Sequence, residues 1–214
     1  MNSLDQDARL VAVLDRLHRQ SAAQEQAMQA DGIDPEFEEE RQFWSDKLVA
    51  LDADKARFCY GLCRASNARR IVEAGTSFGV STLYLAAAVR DNGGGSVVGT
   101  EYEPPKARAA RDHFEEAGLS AYIDLRLGDL RHTLRDIDGP IDFLLLDIWT
   151  PMALPALELV APKMRTGAVV VTDNTVRCRL EYAGLFAYLE EAAHGFTTLT
   201  LPFNGGLGMS VKVQ

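Results

Sequence analysis

The stretch Ile71-Val72-Glu73-Ala74-Gly75-Thr76-Ser77-Phe78-Gly79-Val80-Ser81-Thr82-Leu83 sets the reading of everything around it. A short apolar run, an acidic residue, a glycine-bearing turn and hydroxyl side chains able to open a helix describe a strand feeding a helix. In an α/β domain such a turn lets backbone approach a ligand, because glycine carries no Cβ and the helix N-terminus offers unpaired N–H groups. The spacing, with Glu73 ahead of Gly75 and Gly79, is not the G-x-G-x-x-G dinucleotide fingerprint. A purely structural βα turn would look the same, so the weight falls on the rest of the chain.

From Arg69 onward strands and helices alternate, beginning with a strand over residues 71–74. Residues 80–90 predict a helix rich in Leu and Ala, residues 91–95 a glycine-rich loop and residues 96–101 a strand. A helix over 104–117 has Pro105 in its first turn, as helix starts allow, and leads to a strand over 122–127 and a short helix over 130–136. Residues 141–146, IDFLLL, predict a fully buried central strand, since parallel strands covered on both faces lose polar alternation. A helix over 155–164, a buried strand over 168–172 and a long helix over 180–193 come next. Residues 196–201 and 208–213 predict two strands joined by Pro202-Phe203-Asn204-Gly205-Gly206, a turn-rich link that favours an antiparallel hairpin. Closure by a hairpin points away from an ordinary dinucleotide-binding dehydrogenase.

Composition narrows the partners. A chain of 214 residues, 47% apolar and 25% charged, fits one globular α/β domain with a sizeable core. A net charge of −9 speaks against bulk electrostatic binding of nucleic acid or an anionic membrane surface. Cys59, Cys63 and Cys178 lack metal-binding spacing, and the first two, at i and i+4, would share a buried helix face. No apolar run approaches the roughly 18 residues of a membrane span, and the N-terminus has no signal-peptide pattern, so a cytoplasmic location is expected.

Residues 1–45 differ from 46–214. Leu4, Val11, Leu14 and Leu17 recur at helical spacing, a polar segment runs on to Ala30, and Asp31-Gly32-Ile33-Asp34-Pro35 breaks the pattern. The run Glu38-Glu39-Glu40 reads as a solvated helix face, and Phe43, Trp44, Leu48 and Leu51 as cover for a groove on the main domain or a partner subunit. This N-terminal helical arm is expected to cap the core, and its apolar stripe suggests a homodimer.

Sites in such sheets lie at the carboxyl ends of strands, which here carry Glu73, Glu101, Asp129, Asp147 and the pair Asp173-Asn174. Five carboxylates along one sheet edge would repel one another without a task or a counter-ion. Glu101 stands where an acceptor binds the ribose hydroxyls of an adenosine cofactor, an exposed loop carboxylate being the plain alternative. Asp129 suits a helix N-cap, a cofactor contact, or both. Asp147, Asp173 and Asn174 end strands expected to be neighbours. Their hard oxygen donors suit Mg²⁺, which would favour the ionised form of a bound hydroxyl. The plain alternative is that Asp173-Asn174 only turns the chain. His113, His132 and His194 lie on or beside predicted helices and read as surface residues.

On these residues the chain, from about residue 57 to its C-terminus, resembles the cation-dependent, catechol-type O-methyltransferases of the class I S-adenosylmethionine-dependent fold. The resemblance is carried by Glu73-Ala74-Gly75-Thr76-Ser77-Phe78-Gly79, Glu101, Asp147-Ile148-Trp149 and Thr172-Asp173-Asn174-Thr175. It implies an α/β, Rossmann-like, seven-stranded, mostly parallel sheet with one antiparallel strand and helices on both faces. It implies that Glu73, Gly75, Ser77 and Gly79 border the methionine part of S-adenosylmethionine, with Ser81 just beyond. Glu101 would hold the ribose, Tyr102 flank the adenine, and Asp129 lie near its amino group. Asp147 would serve the cofactor side, the chemistry and the metal at once, sharing a divalent cation, Mg²⁺ by preference, with Asp173 and Asn174.

One position departs from the family. The lysine that serves there as general base, three residues after the first metal-binding aspartate, is Thr150 here, followed by Pro151. A threonine hydroxyl takes no proton near neutral pH. The metal alone, another residue, or an acceptor already ionised would have to serve, and Lys163, Arg177 and Arg179 are not placed to be nominated. Trp149, Met152 and Phe203 are candidates for the acceptor rim, with plain packing as the alternative. The expected protein is therefore an S-adenosylmethionine-dependent O-methyltransferase acting on a small, catechol-like hydroxyl. A metal-independent methyltransferase, a non-catalytic S-adenosylmethionine-binding protein and, less favoured, a nicotinamide-dependent reductase are its rivals.

Overall fold

The computed structural model describes residues 4–32 and 41–214. Its helices are α1 (Ala8–Ala30), α2 (Arg41–Trp44), α3 (Ala53–Ala65), α4 (Val80–Asp91), α5 (Pro104–Glu116), α6 (Leu130–Thr133), α7 (Ala153–Val160) and α8 (Ala183–Glu190). Its strands are β1 (Arg70–Ala74), β2 (Ser96–Glu101), β3 (Ile123–Leu127), β4 (Ile141–Leu146), β5 (Met164–Asp173), β6 (Phe196–Leu201) and β7 (Leu207–Lys212). They form one sheet in the order β3-β2-β1-β4-β5-β7-β6. The first five pair in parallel, and β7 runs against both β5 and β6, so it is the one reversed strand of a seven-stranded sheet, as expected.

The unbroken apolar run of β4 is explained by two cores. Phe143 and Leu145 join Ile71, Val97, Val169 and Val171 beneath α1, α3, α4 and α5, whereas Leu144 and Leu146 join Val72, Ala74 and Val170 beneath α6, α7 and α8. A strand with helices on both faces has no solvent side on which to place polar residues. The order reverses between β1 and β4, and there the carboxyl ends of β1, β2, β4 and β5 lie side by side, where ligands bind in open α/β sheets.

Several boundaries move from their expected places. The helix expected over 155–164 is α7 and stops at Val160, because Pro162 has no N–H for an intrahelical bond; a 3-10 turn, Ala161–Lys163, leads directly into a longer β5. The helix expected over 180–193 shortens to Ala183–Glu190, since Leu180 is 86% exposed and buries nothing that would hold another turn. Residues 33–40, which include the run Glu38-Glu39-Glu40, lie outside the described residues.

The arm folds onto the chain's own core. Asp7 caps α1 by accepting from the Leu10 N–H at 3.1 Å and pairs with Arg90 of α4. The buried stripe is Leu10, Val13, Leu14 and Leu17, with Val11 only half-buried, so the helix is turned slightly from the expected face. Leu48 and Leu51 extend the same core. The stripe that suggested a homodimer is covered by the chain's own core. Val13→Ala, which deletes two buried carbons, is expected to lower stability by about 2 kcal/mol, read as a lower denaturant midpoint at unchanged slope. Cys59 and Cys63 are buried on one face of α3, as expected, and burial raises both thiols. Among the described residues no helix is long and apolar enough to cross a membrane.

Candidate active site

The first loop is built around a buried acid. Glu73 in β1 is fully enclosed and accepts hydroxyl hydrogen bonds from Thr76 at 2.9 Å, Ser81 at 2.7 Å and, at closer range, Thr82. Burial raises its carboxyl above the usual range, and the three hydroxyls work against that rise. This knot fastens the loop to the first turn of α4. Glu73 and Ser81, expected along the methionine part of a cofactor, instead turn their polar atoms towards each other and shape the loop from within. The Thr76 N–H donates to the Thr100 carbonyl of β2, and the α5 ring of His113 reaches the Phe78 carbonyl through Nδ1 at 2.9 Å.

Glu101 fixes the outer side of the loop. Its Oε2 accepts from the Ser77 N–H at 2.7 Å and its Oε1 from the Glu103 N–H at 2.8 Å. A carboxylate has about four lone-pair sites, so two remain for a ligand. Gly75 and Gly79 have φ of 98° and 85°, and Ser77, at φ 49°, holds a buried Oγ with no partner among the described residues. A buried hydroxyl without a partner, beside a carboxylate with free lone pairs and the start of α4, is what a polar ligand such as S-adenosylmethionine would satisfy. Ser77 and Glu101 are thus joined directly, and Tyr102, next to Glu101 in sequence, is 55% exposed. Asp129 takes up the cap: it accepts from the Arg131 N–H at 2.9 Å, and the Arg131 side chain holds its carboxyl down at about 2.

The second half of the site lies at β4 and β5, whose register pairs Leu146 with Thr172 and so sets Asp147 beside Asp173. The Asp147 N–H donates to the Ala74 carbonyl at 3.1 Å, which ties this edge to the first loop. Burial, then the carboxylates of Asp173 and Glu73, pushes Asp147 well above the usual range. Burial raises Asp173 too, against the pull of Lys55. Lys55, in the first turn of α3, is 2% exposed, and its Nζ lies 2.7 Å from Asp173 Oδ1 and 3.1 Å from Asp52 Oδ2. Burial alone would pull its ammonium down, but the Asp173 and Asp52 carboxylates outweigh burial and raise it.

This arrangement does not fit a divalent cation on Asp147, Asp173 and Asn174. An ion bound to the carboxylate oxygen that carries Lys55 would stand no more than about 4.8 Å from the ammonium, given metal–oxygen distances near 2.1 Å. At an effective dielectric of about 20 the two would repel by about 7 kcal/mol. Asn174, at φ 58°, turns its side-chain oxygen against the hairpin, 2.5 Å from where a Cβ on Gly205 would stand. Of the three expected ligands, Asp173 is bound to an ammonium and Asn174 is packed on the hairpin, while Asp147 has neither contact.

Residues 72–175 match the family model described as a methyltransferase domain. The chain is 32% identical over 130 residues to a catechol O-methyltransferase of Mycobacterium tuberculosis, covering 60% of this chain and 58% of the relative. It is 27% identical over 133 residues to a catechol O-methyltransferase of Niastella koreensis, covering 60% of this chain and 59% of that one. The chain thus matches less than two thirds of either relative's length. An O-methyltransferase from Bacillus cereus, solved in complex with SAH, superposes with a TM-score of 0.72 at 22% identity, over 94% of this chain and 90% of the other, and shares the fold. Residues 72–175, just under half of the chain, thus match a methyltransferase domain, and the chain is similar in sequence and in fold to O-methyltransferases.

Of the three residues expected at an acceptor rim, Trp149 and Met152 follow β4 and Phe203 lies between β6 and β7. Trp149 is 50% exposed and precedes a 3-10 turn, Thr150–Met152, so it is free to form a wall, whereas Met152 packs on the core. Phe203 is partly spent on Phe58, at 5.5 Å between ring centres. Lys163 donates to the carbonyls of Arg135 and Ile137, away from the site, and Arg177 and Arg179 are exposed. His132 is exposed as expected, but His113 and His194 are half-buried and bonded to backbone carbonyls. Sequence reasoning missed Lys55. Its signal was local: it falls on the inward helical stripe of Ala56, Cys59 and Cys63, where an unpaired lysine would be out of place.

Proposed function

We propose that this protein transfers the methyl group of S-adenosylmethionine to a hydroxyl of a small, aromatic, catechol-like molecule. The observation that carries the reading is the meeting of two halves at one end of the sheet: a loop held by Glu73 and Glu101 with a partnerless Ser77 hydroxyl, and the Asp147–Asp173 edge joined to it through Ala74. Gly75, Ser77, Gly79, Glu101 and Tyr102 would hold the cofactor. Bound there, S-adenosylmethionine supplies a methyl carbon on a sulfonium, whose transfer to the acceptor oxygen leaves S-adenosylhomocysteine and sets free the hydroxyl proton. Asp147 is the group to receive that proton, because a carboxylate raised by burial is better matched to a hydroxyl than an ordinary one. Trp149 supplies an apolar face for a planar ring, and positioning two reactants in one crevice supplies much of the rate.

A divalent cation on Asp147, Asp173 and Asn174, the second reading, would require Lys55 to withdraw. The test is transfer of labelled methyl from S-adenosylmethionine to a panel of vicinal diphenols, with Asp147→Asn as comparison. The wild type is expected to label at least one diphenol, and Asp147→Asn to lose 10²- to 10⁴-fold in kcat with cofactor affinity kept, as removal of a proton acceptor does. Tight cofactor binding without transfer to any acceptor would favour a non-catalytic S-adenosylmethionine-binding protein.

A further inference from the structure

Lys55 is paired with Asp173, one of the three residues expected to hold the cation. Its Nζ is clamped between Asp173 Oδ1, at 2.7 Å, and Asp52 Oδ2, at 3.1 Å, by a side chain rising from the first turn of α3. An ammonium has three N–H donors. Among the described residues the third meets no acceptor. The lysine is 2% exposed, so bulk water does not compete freely for that donor. Two residues after Asp173, the Thr175 hydroxyl is buried with no partner among the described residues.

We propose that the Lys55 ammonium takes the place of the divalent cation and is itself the charge that steadies the acceptor oxygen as it ionises, so that methyl transfer here needs no metal. This rests on the methyltransferase reading above. A fixed ammonium aimed at a developing oxyanion, in a site largely closed to water, acts as a preorganised electrostatic group. It carries one charge where a divalent ion carries two, and it offers one hydrogen bond where an ion would gather two adjacent oxygens. The acceptor therefore needs one hydroxyl at this position, and its neighbouring hydroxyl, if present, contributes little. Single phenols are expected to be methylated within about tenfold of the matching vicinal diphenols.

The test has one arm with an acceptor and one without. In the first, wild-type protein is assayed with EDTA and with Mg²⁺, beside Lys55→Met. The wild type is expected to work equally in both within twofold, and Lys55→Met to lose about 100-fold in kcat under EDTA and to recover at least tenfold on adding Mn²⁺. In the second, Mn²⁺ binding is followed by electron paramagnetic resonance. The wild type is expected to show no site below millimolar Mn²⁺, and Lys55→Met, with its carboxylates freed, a micromolar one. Micromolar Mn²⁺ binding by the wild type, or full activity of Lys55→Met under EDTA, overturns the proposal. Should Lys55→Met fail to bind S-adenosylmethionine and so prove misfolded, Lys55→Arg keeps the charge and must still exclude Mn²⁺; a micromolar site there would equally overturn it. Should no acceptor be found, the methyltransferase reading is in doubt, but the Mn²⁺ arm decides the role of Lys55 without it.

Discussion

Gly75→Ala is expected to abolish measurable S-adenosylmethionine binding and to destabilise the fold by about 3–5 kcal/mol, the joint cost of a strained backbone and an overpacked contact. At φ 98° a Cβ on residue 75 would stand 1.9 Å from the Asp147 carbonyl oxygen, with the Asp147 carbon and the Ile148 Cα also within reach. These are backbone atoms, so no side chain can swing aside, and either the first loop or the end of β4 must move. Both halves of the site meet at this contact, and a shift of one displaces Ser77 from Glu101 or Asp147 from its place beside Asp173. Gly94→Ala separates strain from collision, since Gly94 has φ 114° but nothing within 4 Å of its Cβ position. That variant should lose about 1 kcal/mol and bind the cofactor as the wild type does. Calorimetric titration with S-adenosylmethionine and thermal unfolding of both variants check the pair; unchanged affinity in Gly75→Ala would remove Gly75 from the site.

The sequence made the sheet readable wherever the local pattern was also the tertiary one. The bounds of β2 and β4 matched, because Ser96–Glu101 and Ile141–Leu146 are apolar runs ended by acids and loops. The start of β5 was hidden, since Arg165, Thr166 and Gly167 fall in a register shift between the pairs Ile141–Met164 and Phe143–Val169 and have no partner residue on β4. Glu101, Ser77 and the Asp147–Asp173 edge were legible for a similar reason: strand order converts sequence positions into neighbours at one end of the sheet. The enclosure of Glu73 was half visible, in hydroxyls that the opening of α4 brings back over the strand. Lys55 was not visible as part of the site. It lies 118 residues from Asp173, and only packing of α3 against the sheet brings the two together. Burying a charge is tolerated where a partner awaits it, and a partner so distant in sequence leaves no pattern around the lysine itself.

Glu101→Ala is expected to weaken S-adenosylmethionine binding by 100-fold or more and to lower the thermal midpoint by about 6–20 °C while the protein still folds. The carboxylate, 9% exposed, accepts the Ser77 and Glu103 N–H groups, each a charge-assisted bond of about 1.5–3 kcal/mol. In its absence the loop keeps its attachment through Glu73 and Thr76, so the fold survives, but Ser77 loses the anchor that sets its backbone. Two lone-pair sites left on Glu101 would take the ribose hydroxyls, so the residue both orders the loop and binds the ligand. Glu101→Gln divides these roles. An amide retains one oxygen and replaces the other with a donor, which must face either the Ser77 or the Glu103 N–H, and a loss of about 10- to 100-fold is expected. A cofactor analogue lacking the 2′-hydroxyl completes a double-mutant cycle. If Glu101 binds the ribose, the wild type discriminates against the analogue and Glu101→Ala does not. If it only orders the loop, both proteins lose the same factor, and the ribose must be held elsewhere.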